Sequence, residues 1–101
     1  MALLQITTIP LGTQSTSVSS FVAKIQEKLI EEKATFKLCD MATVIEGDID
    51  ELLRIVRVIY DIPFDAGAER VVTQISIDDR RDKAVSIGDK TRTVQSLLKN
   101  S

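Results

Sequence analysis

The 101-residue sequence predicts an α+β sandwich in which a four-stranded antiparallel sheet carries two helices on one face. Three observations predict this fold class. Short stretches rich in β-branched residues alternate with two stretches whose apolar residues recur every three or four positions. Gly, Pro and Asp residues separate these stretches, as expected for turns. The resulting order, β-α-β-β-α-β with a terminal helix, is the split βαβ pattern of ferredoxin-like domains.

The first strand and first helix follow from a change in apolar spacing. Residues 2–9 (ALLQITTI) are aliphatic and β-branched and predict a strand. The polar stretch 11–17 (LGTQSTS) predicts a loop, with Thr16 or Ser17 as the N-cap of a helix that continues to about Lys33. The apolar residues of that helix recur at helical spacing: Val18, Phe21, Val22, Ile25 and Leu29.

A hairpin and a second helix come next. The runs 35–39 and 42–46 predict two short strands, joined at Asp40 and Met41. Asp48 is the expected N-cap of the second helix.

This second helix, predicted over residues 49–62, is apolar on most of its surface. Its charged residues fall on one narrow stripe: Asp50, Arg54, Arg57 and Asp61. Such a helix needs cover from more than one side, by another helix or another subunit. Pro63 should distort its final turn, and Gly67 suits the stop.

The last strand is predicted over residues 70–77, where the side chains alternate between two faces. A charged loop at residues 78–83 (DDRRDK) leads to a last helix at about residues 87–99. The expected apolar contacts of that helix are Val94, Leu97 and Leu98. All 101 residues are expected to form one domain.

Composition excludes several classes of chemistry. With no histidine, the chain cannot build a Ser-His-Asp or Cys-His arrangement, and a single cysteine cannot close a zinc site. Cys39 has no internal disulfide partner, which fits a reducing compartment, and it is expected to be a small buried apolar residue.

Charge and hydropathy exclude two kinds of partner. A net charge of -2 and four aromatic residues argue against nucleic acid and against anionic membrane surfaces. No apolar stretch approaches the ~20 residues of a membrane span, so a cytoplasmic location is expected.

The sheet face opposite the helices carries small, uncharged polar residues. The first strand contributes Leu3, Gln5 and Thr7, and the last contributes Val72, Gln74 and Ser76. Open sheet faces usually carry more Lys and Glu, so this face is predicted to contact another sheet, with a pocket between them. The alternative is a solvated face.

Three segments together resemble the small thiamine-binding family, single-domain relatives of the YkoF-type thiamine/hydroxymethylpyrimidine-binding proteins. They are residues 9–20 (IPLGTQSTSVSS), 41–47 (MATVIEG) and 69–81 (ERVVTQISIDDRR). The resemblance implies a ferredoxin-like protomer that forms homodimers or dimers of dimers, and that binds thiamine or hydroxymethylpyrimidine without catalysis and with no cofactor or metal. Two residues depart from the pattern of this family. They are Ala42, where glycine is common, and Pro63.

An aminopyrimidine and a thiazolium cation need a carboxylate and polar groups for recognition. Glu46 is the candidate carboxylate, and Thr43 can share its site only if the strand bulges between them. The loop residues Gly12, Thr13, Ser15 and Ser17 are candidates for a polar ring edge or an anion. The alternatives are a solvated strand end at Glu46 and a simple capped helix start at the loop.

Two other function classes stay open. One is a regulatory module that binds another metabolite or a protein at the same interface. The other is an acylphosphatase-like hydrolase, which needs a cationic phosphate grip in the first loop. The loop at residues 11–17 contains no Arg or Lys, which counts against the hydrolase.

Overall fold

The computed structural model describes residues 1–12 and 19–99, and it confirms the ferredoxin-like sandwich. The sheet has the order β2-β3-β1-β4, and every neighbouring pair is antiparallel. The elements are β1 Ala2–Leu11, α1 Ser19–Glu31, β2 Thr35–Leu38, β3 Thr43–Gly47, α2 Ile49–Tyr60, α3 Ile62–Asp65, β4 Arg70–Asp79 and α4 Asp89–Lys99.

The core lies between the sheet and the helices α1 and α2. The sheet contributes Leu4, Ile6 and Ile45, all of which are buried. The helices contribute Ile25, Leu29, Leu52, Ile55 and Ile59. Each such side chain stabilises the fold by roughly 1.5–3 kcal/mol when it is fully buried. The predicted helix-facing sets of β1 and α1 are therefore confirmed where the structure describes them.

Strand β1 extends two residues beyond the predicted end and includes Pro10. β3 pairs with β1 only from Ala2 to Ile6, whereas β4 pairs with it along all ten residues. Beyond Ile6, β1 therefore has a neighbour on one side only. Proline lacks a backbone donor, and strands accept it where one side is unpaired.

The second helix ends earlier than predicted. Helix α2 stops at Tyr60, and the chain restarts as the short helix α3 with Pro63 in its first turn, where no backbone donor is needed. Pro63 therefore separates two helices instead of distorting one. Asp48 occupies the N-cap position of α2 without a side-chain hydrogen bond, and Gly67 ends α3 at a φ of 108°.

Within one protomer, α2 is covered on a single side. Leu52, Ile55 and Ile59 are buried, whereas Leu53 and Tyr60 are exposed. Cover of its outer side by another subunit stays a prediction.

Helix α4 differs most from its prediction. It begins at Asp89, and none of its described side chains is buried. Its expected apolar contacts, Val94, Leu97 and Leu98, are 54%, 65% and 67% exposed, so the protomer leaves them largely uncovered. Helical spacing identifies an apolar stripe, but it does not say whether the same chain covers it.

Cys39 is also placed differently, since its side chain is exposed. It follows the edge strand β2, and its backbone N–H donates to the carbonyl of Ala42 at 2.8 Å, so it lies at the hairpin corner.

Over residues 1–12 and 19–99, no helix is long and apolar enough to cross a membrane.

Candidate functional site

A cleft of about 750 Å³ lies between the open face of the sheet and the segment that leads into α4. The sheet wall includes Leu3, Gln5, Val44 and Ser76, and the facing wall includes Ile87 and Gln95. This volume is within the range of small-molecule sites, about 300–1,000 Å³. This cleft differs from the predicted pocket between two sheets, because residues 86–95 of the same chain form its second wall. Contact of this face with another sheet stays a prediction.

Glu46 fixes that cover to the sheet. Its side chain lies on the open face of β3, in the same cross-strand row as Leu3. The carboxylate Oε1 accepts a hydrogen bond from the backbone N–H of Ile87 at 2.8 Å, in a partly buried setting. Glu46 is thus a structural anchor of the cleft and not a solvated strand end.

Two aspartates hold the start of α4. The Lys90 ammonium donates to Asp78 at 2.8 Å, and this hydrogen bond lowers the pKa of the Asp78 carboxyl. The backbone N–H of Ser86 donates to Asp89 at 2.9 Å, and this bond, reinforced by Arg92, lowers the pKa of Asp89. Both aspartates are therefore charged at neutral pH.

The cleft combines an apolar floor with charges of both signs. Glu46 and Asp78 flank Leu3 in one row, about 10 Å apart, because two strand spacings separate them. The charged residues that line the cleft are Asp78, Lys37, Lys90 and Arg92, and side-chain amides add neutral donors and acceptors. Glu46 lies beside this lining, in the row of Leu3. In the described part of the chain, no group of three or more His, Cys, Asp or Glu residues could hold a metal ion.

The structure separates Thr43 from Glu46. The register of β3 against β1 is regular from Thr43 to Gly47, so their side chains lie on opposite faces. Thr43 is buried on the helix side, where its hydroxyl oxygen accepts a hydrogen bond from Gln26 Nε2 at 3.1 Å. A shared site required a bulge between Thr43 and Glu46. Because β3 is regular there, the two side chains do not share a site.

The predicted loop lies at the other end of β1. Gly12 follows Leu11 and has a φ of 70°, a left-handed conformation that glycine adopts easily. Nine residues separate Gly12 from Leu3 beside the cleft, which is about 30 Å along a strand. Thr13, Ser15 and Ser17 lie outside the described residues. A single protomer therefore does not bring Gly12 and Glu46 together.

Several cleft residues were not predicted as site residues. The alternation of β1 and β4 placed Gln5 and Ser76 on this face, but nothing in the sequence marked them as ligand-binding. For Ile87, Lys90 and Gln95 the sequence gives no signal, because their approach to the sheet depends on the path of the chain after β4.

A family model described as thiamine-binding protein matches residues 4–95 of the chain. The chain belongs to this thiamine-binding protein family. The matched segment runs from β1 into α4 and includes the cleft residues named above except Leu3. The resemblance seen in three sequence segments is confirmed over nearly the whole chain.

Individual members of the thiamine-binding protein family are similar along their whole length. The UPF0045 protein from the glkA 3' region of Staphylococcus xylosus is 44% identical over 102 residues, which covers 97% of this chain and 95% of that protein. The crystal structure of protein MJ1052 from Methanocaldococcus jannaschii has a TM-score of 0.82 at 31% identity, over 93% of this chain and 95% of that one.

A more distant structure shares the fold. It comes from Thermotoga maritima, and its description proposes a role in thiamine biosynthesis or salvage. The TM-score is 0.77 at 18% identity, over 92% of this chain and 97% of that one. At that identity the likeness establishes the fold alone.

Proposed function

We propose that this chain binds thiamine or its hydroxymethylpyrimidine precursor without changing it chemically, as a homo-oligomeric carrier, sensor or sequestering protein of the cytoplasm. The observation that carries the proposal is the match to the thiamine-binding protein family, which spans both walls of a cleft of suitable volume. Membership of the family supports thiamine-like compounds as the ligand class, and the cleft is the binding site that we propose for them.

The chemistry of the cleft suits both halves of thiamine. An aminopyrimidine ring can lie on the apolar floor formed by Leu3 and Val44. Its exocyclic amine needs an acceptor, and a carboxylate such as Glu46 has lone pairs beyond the one that Ile87 uses. Asp78 lies about 10 Å away, and it would compensate the thiazolium cation where that cation replaces its present partner, Lys90.

Binding without catalysis is supported by two features of the sequence and by the ion pairs at the start of α4. The chain has no histidine, and the loop at residues 11–17 has no cationic phosphate grip. The two cations at the start of α4 are paired, Lys90 with Asp78 and Arg92 with Asp89. These observations favour a binding protein over an acylphosphatase-like hydrolase.

The test is isothermal titration of the purified protein with thiamine and with hydroxymethylpyrimidine. Saturable binding of at least one compound is expected, and Glu46→Gln should weaken it at least tenfold, since a charge-assisted hydrogen bond becomes a neutral one. Thr43→Val is the matched control, because it changes the same strand on the opposite face and should leave affinity within about twofold.

The outcomes separate the competing functions. If the folded wild-type protein releases no heat with either compound, the thiamine proposal is wrong, and a screen of other metabolites and proteins tests the regulatory alternative. If both compounds bind but Glu46→Gln has no effect, the ligand class stands and Glu46 is removed from its site.

A further inference from the structure

The charges that line the cleft have the opposite sign to the charge of the whole protein. The chain carries a net charge of -2, whereas the cleft lining includes three cations and one carboxylate: Lys37, Lys90, Arg92 and Asp78. The Glu46 carboxylate beside this lining reduces the excess of positive charge but does not reverse it. A concave surface with an excess of one sign of charge concentrates small ions of the opposite sign. The lining therefore favours a ligand that carries an anionic group.

Lys37 is the cation of this lining that has no carboxylate partner in the described part of the chain. Lys90 is paired with Asp78 at 2.8 Å. Arg92 is paired with Asp89 at 2.5 Å. The Lys37 side chain is exposed on β2 and takes part in none of the ion pairs of the described residues. Its ammonium can therefore bind an anion of the ligand without first giving up an ion pair.

Lys37 and Glu46 are diagonal neighbours on the open face of the sheet. Lys37 lies directly opposite Val44, and Glu46 is two residues further along β3 on the same face. Diagonal neighbours of this kind have Cα atoms about 7–8 Å apart, within reach of long side chains. A carboxylate and an ammonium therefore flank Val44, an apolar residue of the cleft floor.

The pyrimidine ligand of the proposed function carries matching groups on adjacent ring carbons. In hydroxymethylpyrimidine, the carbon that carries the amine is next to the carbon that carries the hydroxymethyl group. With the ring on Val44 and the amine at Glu46, the hydroxymethyl group points across the strands. Lys37 lies on one side in that direction, and Gln5 lies on the other. A phosphate on this hydroxyl carries between one and two negative charges at neutral pH, and only the side of Lys37 compensates them.

We propose that the cleft selects the phosphate ester of hydroxymethylpyrimidine over the unphosphorylated pyrimidine and over thiamine, and that Lys37 binds the phosphate. This inference rests on the proposed function and deepens it, because it names the member of the ligand class that binds most tightly. The lysine ammonium is a compact charge on a flexible stem, and lysine is a common phosphate ligand in proteins. The ester is bound without any bond being formed or broken.

Thiamine suits this cleft less well because of its charge. Its thiazolium cation is attached to the methylene group that carries the hydroxyl in hydroxymethylpyrimidine. Directed to Lys37, the thiazolium meets a like charge. Directed across β1 to Asp78, it has to displace Lys90 from an ion pair of 2.8 Å. Either orientation costs free energy that the phosphate ester does not lose.

A second role can be assigned to Lys37 from its position in the sheet. Strand β2 is the first strand of the sheet order, and a lysine on an edge strand hinders pairing with other chains. That role predicts an effect of Lys37 on association and none on ligand affinity. Measurements of binding therefore separate the two roles.

Isothermal titration with four compounds tests the selectivity. They are the phosphate ester, hydroxymethylpyrimidine, thiamine and inorganic phosphate, used at about pH 7.5, above the second pKa of about 6 of a phosphate ester. The ester is expected to bind at least about tenfold more tightly than hydroxymethylpyrimidine, since a charge-assisted contact adds to the same ring contacts. Inorganic phosphate should show no saturable binding over the concentrations at which the ester saturates.

Substitutions of Lys37 test its contact with the phosphate. Lys37→Met removes the charge and should weaken binding of the ester at least about tenfold, while affinity for hydroxymethylpyrimidine stays within about twofold. Lys37→Arg keeps the charge and should retain most of the affinity for the ester. Lys24→Met is the matched control, because Lys24 is an exposed lysine on α1, in the helix layer, and should leave both affinities unchanged.

Three results would overturn the inference. They are an ester that binds no more tightly than hydroxymethylpyrimidine, a Lys37→Met variant that loses affinity for both compounds equally, and inorganic phosphate that binds as tightly as the ester. In the first two results a pyrimidine still binds, so the proposed function stands. If neither pyrimidine nor thiamine binds to the folded protein, the proposed function fails, and the inference fails with it. Saturation by the ester alone would support the inference and remove the unphosphorylated compounds from the proposed function.

Discussion

The carboxylate of Glu46 on β3 accepts a hydrogen bond from the backbone N–H of Ile87, 41 residues later in the chain. This contact, together with the Lys90–Asp78 ion pair, holds the start of α4 over the open face of the sheet. These contacts hold α4 together with the buried side chain of Val85 just before it, since α4 itself has no buried side chain.

Removing the anchor should loosen the cleft without unfolding the protein. Glu46→Ala is expected to reduce the hydrogen-exchange protection of the Ile87 amide about tenfold, since a hydrogen bond to a charged group contributes roughly 1.5–3 kcal/mol. Glu27→Ala, a change of an exposed carboxylate on α1, is the control and should leave Ile87 unaffected. Equal protection in both variants would contradict the anchoring role.

Gly88 should tolerate a side chain less well than Gly47. Gly88 has a φ of 95°, and an added Cβ would approach Arg92 Nη1 at 2.7 Å. Gly88→Ala is therefore expected to fray the first turn of α4, because alanine strongly disfavours that backbone conformation. A Cβ at Gly47 would meet Leu52 at an ordinary 3.5 Å. Exchange rates of the amides at residues 89–92 distinguish the two variants.

Neighbouring leucines of α2 should differ sharply in their effect on stability. Leu52 is fully buried in the core, whereas Leu53 is 51% exposed. Leu52→Ala should lower the free energy of unfolding by about 2–5 kcal/mol through lost burial and the cavity that remains. Leu53→Ala should change it by less than about 1 kcal/mol. Urea unfolding measures the free energy of unfolding of each variant. The dependence of that free energy on urea concentration should be equal in the two variants.

The start of α4 should open under acid and not under mild changes near neutrality. The pKa values of Asp78 and Asp89 are lowered by their hydrogen bonds from an ordinary value of 3.8. A carboxyl whose pKa is lower in the folded than in the unfolded protein stabilises the folded state at pH values above 3.8. That contribution is lost as the pH falls through the pKa of the carboxyl in the folded state. The protection factors of the amides at residues 86–92, which are corrected for the pH dependence of exchange in an unfolded chain, should therefore fall only below about pH 3.8. Opening above that value would contradict the assignment.

Gln26 and Thr43 should be energetically coupled. Gln26 Nε2 donates to Thr43 Oγ1 at 3.1 Å, and Gln26 Oε1 is buried without a hydrogen-bond partner among residues 1–12 and 19–99. Thr43→Val alone leaves the amide nitrogen unpaired as well and should cost about 1–3 kcal/mol. Adding Gln26→Met removes the unpaired groups and should recover most of that loss. A double-mutant cycle by urea unfolding measures the coupling, and additive losses would argue against it.

The sequence by itself determined the elements and the faces of the sheet. The apolar residues of β1, at Leu4 and Ile6, alternate with polar ones, and those of α1 recur at helical spacing, so both predicted their buried sides correctly. These periodicities are local, so they can be recognised from residues that are neighbours in the sequence. The three resembling segments likewise indicated the family and, through it, a ligand class.

Only the tertiary structure decided which residues form the cleft. It separated Thr43 from Glu46, because a regular register sends residues three positions apart to opposite faces. It also brought Ile87 to Glu46 and Lys90 to Asp78, through a turn whose path after β4 no periodicity encodes. Likewise it showed that Cys39 is exposed, because an edge strand and a hairpin corner leave that side chain uncovered. Contacts between residues distant in the chain depend on how the elements pack, and that information is not present in any one segment.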